Sequence, residues 1–155
     1  MTSSRFSLPV INPWAWVVAW MGVIFIFSTD HFSGTQTSRF IGPILKWIMP
    51  GISDVSIASF QLIVRKFAHL AEYAILSILI CRALARSAAL ELLPLGAIAQ
   101  AVLIAGVYAV TDEWHQSGTS ERMGSWVDVG IDITGAVIGA VFFAWFTRRK
   151  NRVND

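Results

Sequence analysis

Four apolar runs, each near the length that crosses a lipid bilayer, dominate this sequence. They cover approximately residues 10–28, 62–83, 92–111 and 126–146. A helix needs roughly 20 apolar residues to cross the hydrocarbon core, and only helices or closed barrels satisfy their backbone hydrogen bonds there. We therefore predict an all-α membrane protein in which a single domain, residues 1–155, forms a bundle of four transmembrane helices.

The composition favours the same class of protein. Hydrophobic residues make up 55% of the chain and charged residues only 14%, whereas soluble domains carry about 25% charged residues. The net charge is only +2, so we interpret the basic residues near the ends of the runs as topology signals and expect the lipid bilayer, and no nucleic acid, as a partner. The single cysteine, Cys81, excludes an intramolecular disulfide and a cysteine-based metal cluster.

The distribution of basic residues predicts the orientation. If both termini share one side of the membrane, that side carries seven arginines and lysines and the other side carries five. The positive-inside rule then places both termini in the cytoplasm and the 29–61 and 112–125 loops outside. No small-residue cleavage site follows the first run, so we expect it to remain as a span of a multi-pass protein in the cytoplasmic (inner) membrane.

The first outer loop contains a helical pattern of its own. Apolar residues recur three and four positions apart at Ile41, Ile44, Leu45, Ile48 and Met49. This spacing produces one apolar helix face, which is typical of a short interfacial helix on the membrane surface. Packing of the same helix over the bundle is an equally compatible interpretation.

The second run carries ionisable groups within the predicted span. Lys66, His69, Glu72 and Tyr73 lie three or four residues apart and therefore share one helix face. The long side chain of Lys66 can reach the interface, but His69 and Glu72 lie roughly one to two turns deeper. Burying either group without a partner costs several kcal/mol, so we expect partners on neighbouring helices.

Polar residues at the outer ends of the other three runs can supply these partners. They are Ser28 at the end of span one, Asp112, Glu113 and Gln116 at the end of span three, and Asp128 and Asp132 at the start of span four. The predicted topology brings all of them to the same depth on the outer side. Ionisable groups in such positions are costly, so each one is a functional-site hypothesis.

Two helical stripes follow from the same spacing. In span four, Asp128 and Asp132 continue into Gly135 and Gly139, a Gly-x-x-x-Gly step that predicts close helix packing. In span three, the predicted polar face consists of Tyr108, Thr111, Asp112 and His115.

Chemistry divides the polar residues into two groups. Histidines and carboxylates act as general acids and bases, and the candidate catalytic residues are His69, Glu72, Asp112, Glu113, Asp128 and Asp132. Cations and neutral hydrogen-bonding groups suit an anionic ligand, and the candidate substrate-binding residues are Lys66, Tyr73, Gln116, Arg122 and Ser28.

At these residues the chain resembles the VanZ-like family of small polytopic membrane proteins. The resemblance spans roughly residues 60–140 and lies in Arg65-Lys66-x-x-His69-x-x-Glu72-Tyr73, Asp112-Glu113-x-x-Gln116, Arg122, Asp128, Asp132, Gly135 and Gly139. The family pattern usually has Asn where this chain has Asp132, which adds a carboxylate to the cluster. The resemblance implies a multi-span inner-membrane protein whose outer site acts on or binds an envelope lipid or a lipid-anchored glycopeptide. The family's name member is associated with low-level resistance to teicoplanin-type lipoglycopeptides.

Several functions stay open at this point. The site can belong to an enzyme that modifies an envelope lipid, to a non-catalytic binder of a lipid or lipoglycopeptide, or to a structural ion-pair scaffold. A divalent ion on His69, Glu72, Asp112 and Asp128 is a further alternative. No metal motif such as His-Glu-x-x-His is present, so the sequence assigns no metal ligand and identifies no cofactor or oligomeric state.

Overall fold

The computed structural model describes residues 12–29, 34–87, 94–117 and 125–154, which contain five α-helices and no β-strand. The helices are α1 (Pro13–Phe27), α2 (Gly34–Ile48), α3 (Asp54–Ser87), α4 (Pro94–Ser117) and α5 (Trp126–Asn154). The predicted all-helical class is confirmed for these parts of the chain.

Three stretches are long and apolar enough to cross a membrane, namely Asp54–Ser87, Leu95–Ser117 and Trp126–Lys150. The helix α1 is also apolar but has only 15 residues. At 1.5 Å per residue it is about 22 Å long, against a hydrocarbon core of about 30 Å. The helices therefore have the composition of a membrane helical bundle, with three helices long enough to span and a shorter apolar helix.

Three helices extend beyond the predicted spans, among them α5, which continues to Asn154 rather than ending near residue 146. The helix α3 begins at Asp54 rather than near residue 62, and α4 continues to Ser117 rather than ending near residue 111. Residues 54–61 and 112–117 are therefore helical, although the sequence assigned them to outer loops. The new start of α3 has a local cause, because the Ser53 hydroxyl accepts a hydrogen bond from the Ser56 backbone N–H at 3.1 Å and caps the first turn.

The helix predicted in the first outer loop is present as α2. It packs against α3, and the Lys46 Nζ atom lies 2.8 Å from Asp54 Oδ1 at the start of α3. Part of its surface remains open, since Trp47 is 84% exposed.

Close packing of α3 against α5 organises the bundle. A Cβ atom on Gly135 would collide with the backbone carbonyl of Leu70, and one on Gly139 would collide with that of Ala74. Beside Gly139 the Ser77 hydroxyl donates to the Ala136 carbonyl at 2.7 Å. The two glycines therefore serve helix packing, as the Gly-x-x-x-Gly step predicted.

Aromatic hydrogen bonds connect α1 to α3 and α4 to α1. Trp20 of α1 donates through Nε1 to the Glu72 carbonyl of α3 at 2.9 Å. Tyr108 of α4 donates through its hydroxyl to the Met21 carbonyl of α1 at 2.7 Å. These contacts bring the last turns of α1 and α4, the first turns of α5 and the middle of α3 to one region.

Candidate functional site

A buried polar cluster occupies the region where α1, α3, α4 and α5 meet. Its six central side chains are at most 6% exposed: Ser28, His69, Asp112, Glu113, Gln116 and Asp132. Burial of so many polar groups among apolar helices requires that they satisfy one another or meet a ligand.

His69 of α3 pairs with Asp132 of α5. The His69 Nδ1 and Asp132 Oδ1 atoms are 3.2 Å apart, and the Asp132 side chain is fully buried. The pair lies directly beside the contact between Gly135 and the Leu70 backbone. The closest approach of the two helices therefore holds the imidazole and the carboxylate together.

Glu113 of α4 completes a three-residue group with this pair. Its Oε2 atom accepts a hydrogen bond from the Ser125 backbone N–H at 2.8 Å. Its Oε1 atom and the Asp132 Oδ2 atom are buried and have no hydrogen-bond partner in the described parts of the chain. One donor atom from each of His69, Glu113 and Asp132 lies within 4.8 Å of the other two.

Asp112 belongs to a separate network through one of its two oxygens, while its Oδ1 atom is buried and has no hydrogen-bond partner in the described parts of the chain. Its Oδ2 atom accepts from the Ser28 hydroxyl at 2.7 Å and from Gln116 Nε2 at 3.1 Å. Gln116 Oε1 in turn accepts from Arg65 at 3.4 Å. These bonds connect α1, α3 and α4, so Ser28, Asp112 and Gln116 hold the helix ends together.

Lys66 and Asp128 form an ion pair at the rim of the cluster. Their side chains are 35% and 14% exposed, so this pair lies closer to the surface than the His69–Asp132 pair. A partly exposed lysine can exchange its carboxylate for an anionic ligand.

A sequence model of the VanZ/LLP1 family matches residues 13–147, most of the chain and every described member of the cluster. The chain belongs to the VanZ/LLP1 family. The resemblance seen in the sequence is thereby confirmed, and membership together with the apolar helices makes the chain a membrane protein of the VanZ/LLP1 family. No curated protein and no solved structure matches it.

Three further candidate residues of this VanZ/LLP1 family member are not among the six central side chains: Tyr73, Glu72 and Arg122. Tyr73 is fully buried, and its ring centroid lies 6.2 Å from that of Tyr108. Glu72 is half-buried. Arg122 lies outside the residues that the structure describes.

The predicted polar face of span three is wrong in part. Thr111 and His115 are exposed, and the His115 ring packs 4.6 Å from Phe25. The buried face instead continues the alanine stripe Ala101, Ala105 and Ala109 into Asp112, Glu113 and Gln116. Residues at helical spacing share a face whether that face is buried or exposed. The small residues identify the face that meets the neighbouring helices.

Two contacts in the cluster were not predicted from the sequence, although Arg65 itself belongs to the motif given above. Arg65 contacts Gln116, and the Ser125 backbone binds Glu113. Ser125 carried a usable signal, because a serine directly before a helix is a common N-cap, and its hydroxyl does accept from the Val127 N–H at 3.2 Å.

A cleft between α4 and α5 reaches Glu113 from the outside of the bundle. Its volume is about 330 Å³, and it is lined by Glu113, Val110, Trp114, Ser117, Ser125, Trp126 and Val129. Trp114 and Trp126 are 79% and 81% exposed. Tryptophan is enriched where a membrane protein meets lipid headgroups, so the cleft has the character of an opening at that level.

Proposed function

We propose that this VanZ/LLP1 family member is a cell-membrane enzyme that modifies the phosphate-bearing headgroup of an envelope lipid. One observation carries the proposal: two buried carboxylate oxygens without described partners, on Glu113 and Asp132, lie in a group with His69. A scaffold would satisfy these oxygens, because an unpaired buried polar group costs at least about 1–3 kcal/mol. Groups left in this state at a cleft are typical of a site that meets a ligand.

His69 is the proposed proton carrier. Imidazole gains and loses a proton near neutral pH more readily than other side chains. Since its Nδ1 atom contacts Asp132, Nε2 remains for proton transfer, and the buried carboxylate fixes the ring orientation as it does in a catalytic triad. Glu113 is the second acid–base group, and Asp112, Asp128 and Glu72 support the site around them.

The rim supplies the recognition of an anionic headgroup. Lys66 is partly exposed beside Asp128, and Arg122 lies in the segment between α4 and α5 in the sequence. Lysine and arginine both bind phosphate. The Trp114 and Trp126 side chains at the cleft would contact the glycerol or first acyl carbons, with the acyl chains remaining in the bilayer.

The proposal includes a topology. The α1 helix, preceded in the sequence by Val10 and Ile11, serves as a fourth span, and α2 lies on the outer surface. Both termini are cytoplasmic in the inner membrane, and the single domain of residues 1–155 presents its site outward. Support comes from the basic-residue bias and from the amphipathic pattern of α2.

Reporter fusions test this topology. A reporter that is active only in the cytoplasm should work after residue 155 and within the 88–93 segment, because both positions follow spans that end inside. A reporter that is active only outside should work within 118–124. Activity of the outside reporter at residue 155 would refute the orientation.

The lipid proposal is tested with purified protein in vesicles of the native mixed lipids. Mass spectrometry before and after incubation should show one phosphate-bearing lipid falling as a product accumulates. The isosteric Glu113→Gln variant should leave the lipids unchanged, since it removes an acid–base group while keeping the shape of the side chain. Unchanged lipids with wild-type protein of verified fold contradict the enzyme assignment.

A non-catalytic binder is the second candidate, and the partly exposed Lys66–Asp128 pair favours it. Such a protein would sequester an envelope lipid or a lipoglycopeptide without changing it. Alanine substitutions separate the two functions: loss of function at Glu72 and Asp128 with ligand binding retained favours chemistry, whereas loss of binding at Lys66 alone favours the binder.

A further inference from the structure

We infer that His69, Glu113 and Asp132 together bind one divalent transition-metal ion. The three residues come from three different helices, α3, α4 and α5, and all are buried. The inference rests on the site of the proposed function and refines it: when the ion is bound, His69 and Glu113 are its ligands rather than proton carriers, and their loss slows lipid conversion through loss of the ion. Of the ligands considered from the sequence, only His69 belongs to this group, since Asp112 Oδ2 is engaged by Ser28 and Gln116.

The spacing of the donors fits a metal centre. Two ligands of a tetrahedral ion with bonds of about 2.0–2.1 Å lie about 3.3 Å apart, and His69 Nδ1 lies 3.2 Å from Asp132 Oδ1. The widest separation within the group is up to 4.8 Å. A bound ion would therefore draw the donors together by about 1–1.5 Å, a shift that side-chain rotation supplies.

The unpaired buried oxygens of the two carboxylates are a second, independent observation in favour of a metal site. Glu113 is 5% exposed and Asp132 is fully buried, yet Glu113 Oε1 and Asp132 Oδ2 have no hydrogen-bond partner in the described ranges. The other Glu113 oxygen is fixed by the Ser125 N–H. An outer hydrogen bond that orients a carboxylate while leaving its second oxygen available is the usual arrangement around a metal ligand.

The charge of the group also matches a divalent cation. Two ionised carboxylates and a neutral imidazole carry −2. The described cations nearest in sequence to His69 are engaged elsewhere, Lys66 with Asp128 and Arg65 with Gln116. An ion of charge +2 would neutralise the group in this ionisation state.

The donor types indicate the kind of ion. An imidazole with two carboxylates and no thiolate suits Zn²⁺ or Mn²⁺ better than Mg²⁺ or Ca²⁺, which prefer oxygen donors alone. The cleft that Glu113 lines offers an access path toward the group. Such an ion would give an anionic headgroup a positive partner inside the bundle.

The test measures bound metal rather than converted lipid, so this inference and the proposed function can fail separately. The full chain, purified and stripped with a chelator, is titrated with Zn²⁺ and with Mn²⁺ while bound metal is quantified by elemental analysis. We expect about one ion of at least one of the two metals per chain, and a higher melting temperature with metal than without.

Matched variants locate the ion. Glu113→Gln and Asp132→Asn keep the size of each side chain and should weaken binding at least about tenfold, with the metal-dependent rise in melting temperature lost. The control Asp54→Asn removes an exposed carboxylate paired with Lys46 and should bind as the wild type does. Tryptophan fluorescence verifies that each variant is folded.

Two results would overturn the inference. One is folded wild-type protein that binds neither metal above the level of the Glu113→Gln variant. The other is unchanged affinity in both carboxylate variants, which would place the ion elsewhere. A variant that fails to fold is replaced by Glu113→Asp, which keeps the charge but withdraws the donor by one methylene and should also weaken binding.

Discussion

The His69→Ala variant is expected to convert the lipid substrate about 10²- to 10⁴-fold more slowly than the wild type, the range that a positioned acid–base group contributes. The reason is positional, since His69 is 6% exposed and is held against Asp132 by the packing of α3 on α5. His115, the other described imidazole, is exposed and packs against Phe25 rather than against Asp132. The measurement is the initial rate of product formation in native-lipid vesicles.

The matched control for this prediction is His115→Ala. It removes the second described histidine, whose ring packs against Phe25 at 4.6 Å, and should leave the rate within about threefold of wild type. A Lys66→Gln variant should instead raise the substrate concentration needed for half-maximal rate, because it weakens headgroup recognition at the rim. Folded His69→Ala protein with a near-normal rate would remove His69 from the chemistry.

The Gly139→Ala variant is expected to destabilise the protein by about 3 kcal/mol, at the upper end of the cost of overpacking. The added methyl group would collide with the Ala74 carbonyl and would lie 2.7 Å from Ser77 Oγ. A backbone carbonyl within a helix cannot rotate away as a side chain can, so α3 and α5 must separate. The measurement is the unfolding transition in detergent, followed by tryptophan fluorescence.

The control is Gly130→Ala on the same helix. A Cβ atom at Gly130 meets no atom within 4 Å in the described structure, so this variant should be neutral or more stable by up to about 1 kcal/mol, the helix-propensity difference between the two residues. Equal stability of the Gly139→Ala and Gly130→Ala variants would show that α3 and α5 do not approach as closely as described.

The sequence predicts the helices better than their ends. Long apolar runs and the spacing from Ile41 to Met49 indicate where helices form. Apolar residues three and four positions apart give a helix an apolar face to bury, and this spacing can be read directly from the sequence. Asp54 and the 112–117 segment are polar, and polar residues suit loops as well as helix ends. Whether the helix continues through them depends on caps such as Ser53 and on tertiary partners.

The site was partly predictable for a related reason. Helical spacing and a common depth brought His69, Asp112 and Asp132 to one region, which needs only the topology. It could not indicate which partner each cation would contact, because Lys66 and Arg65 are adjacent yet engage Asp128 and the amide of Gln116 on different helices. Such pairings depend on helix rotation and side-chain geometry, which a periodic pattern does not contain.

The glycine contacts between α3 and α5 have a mechanical consequence. Two helices in backbone contact cannot slide without breaking that contact, so α3 and α5 move as one rigid body that carries His69 and Asp132. Glu113 belongs to α4, which meets this body through alanines, through the hydrogen bond from the Ser125 N–H to Glu113 and through the one from Arg65 to Gln116. Displacement of α4 would therefore change the distance from Glu113 to His69 while leaving the His69–Asp132 distance constant. The distance from Glu113 to His69 is therefore easier to change than the His69–Asp132 distance. Glu113 also lines the cleft through which a ligand would arrive.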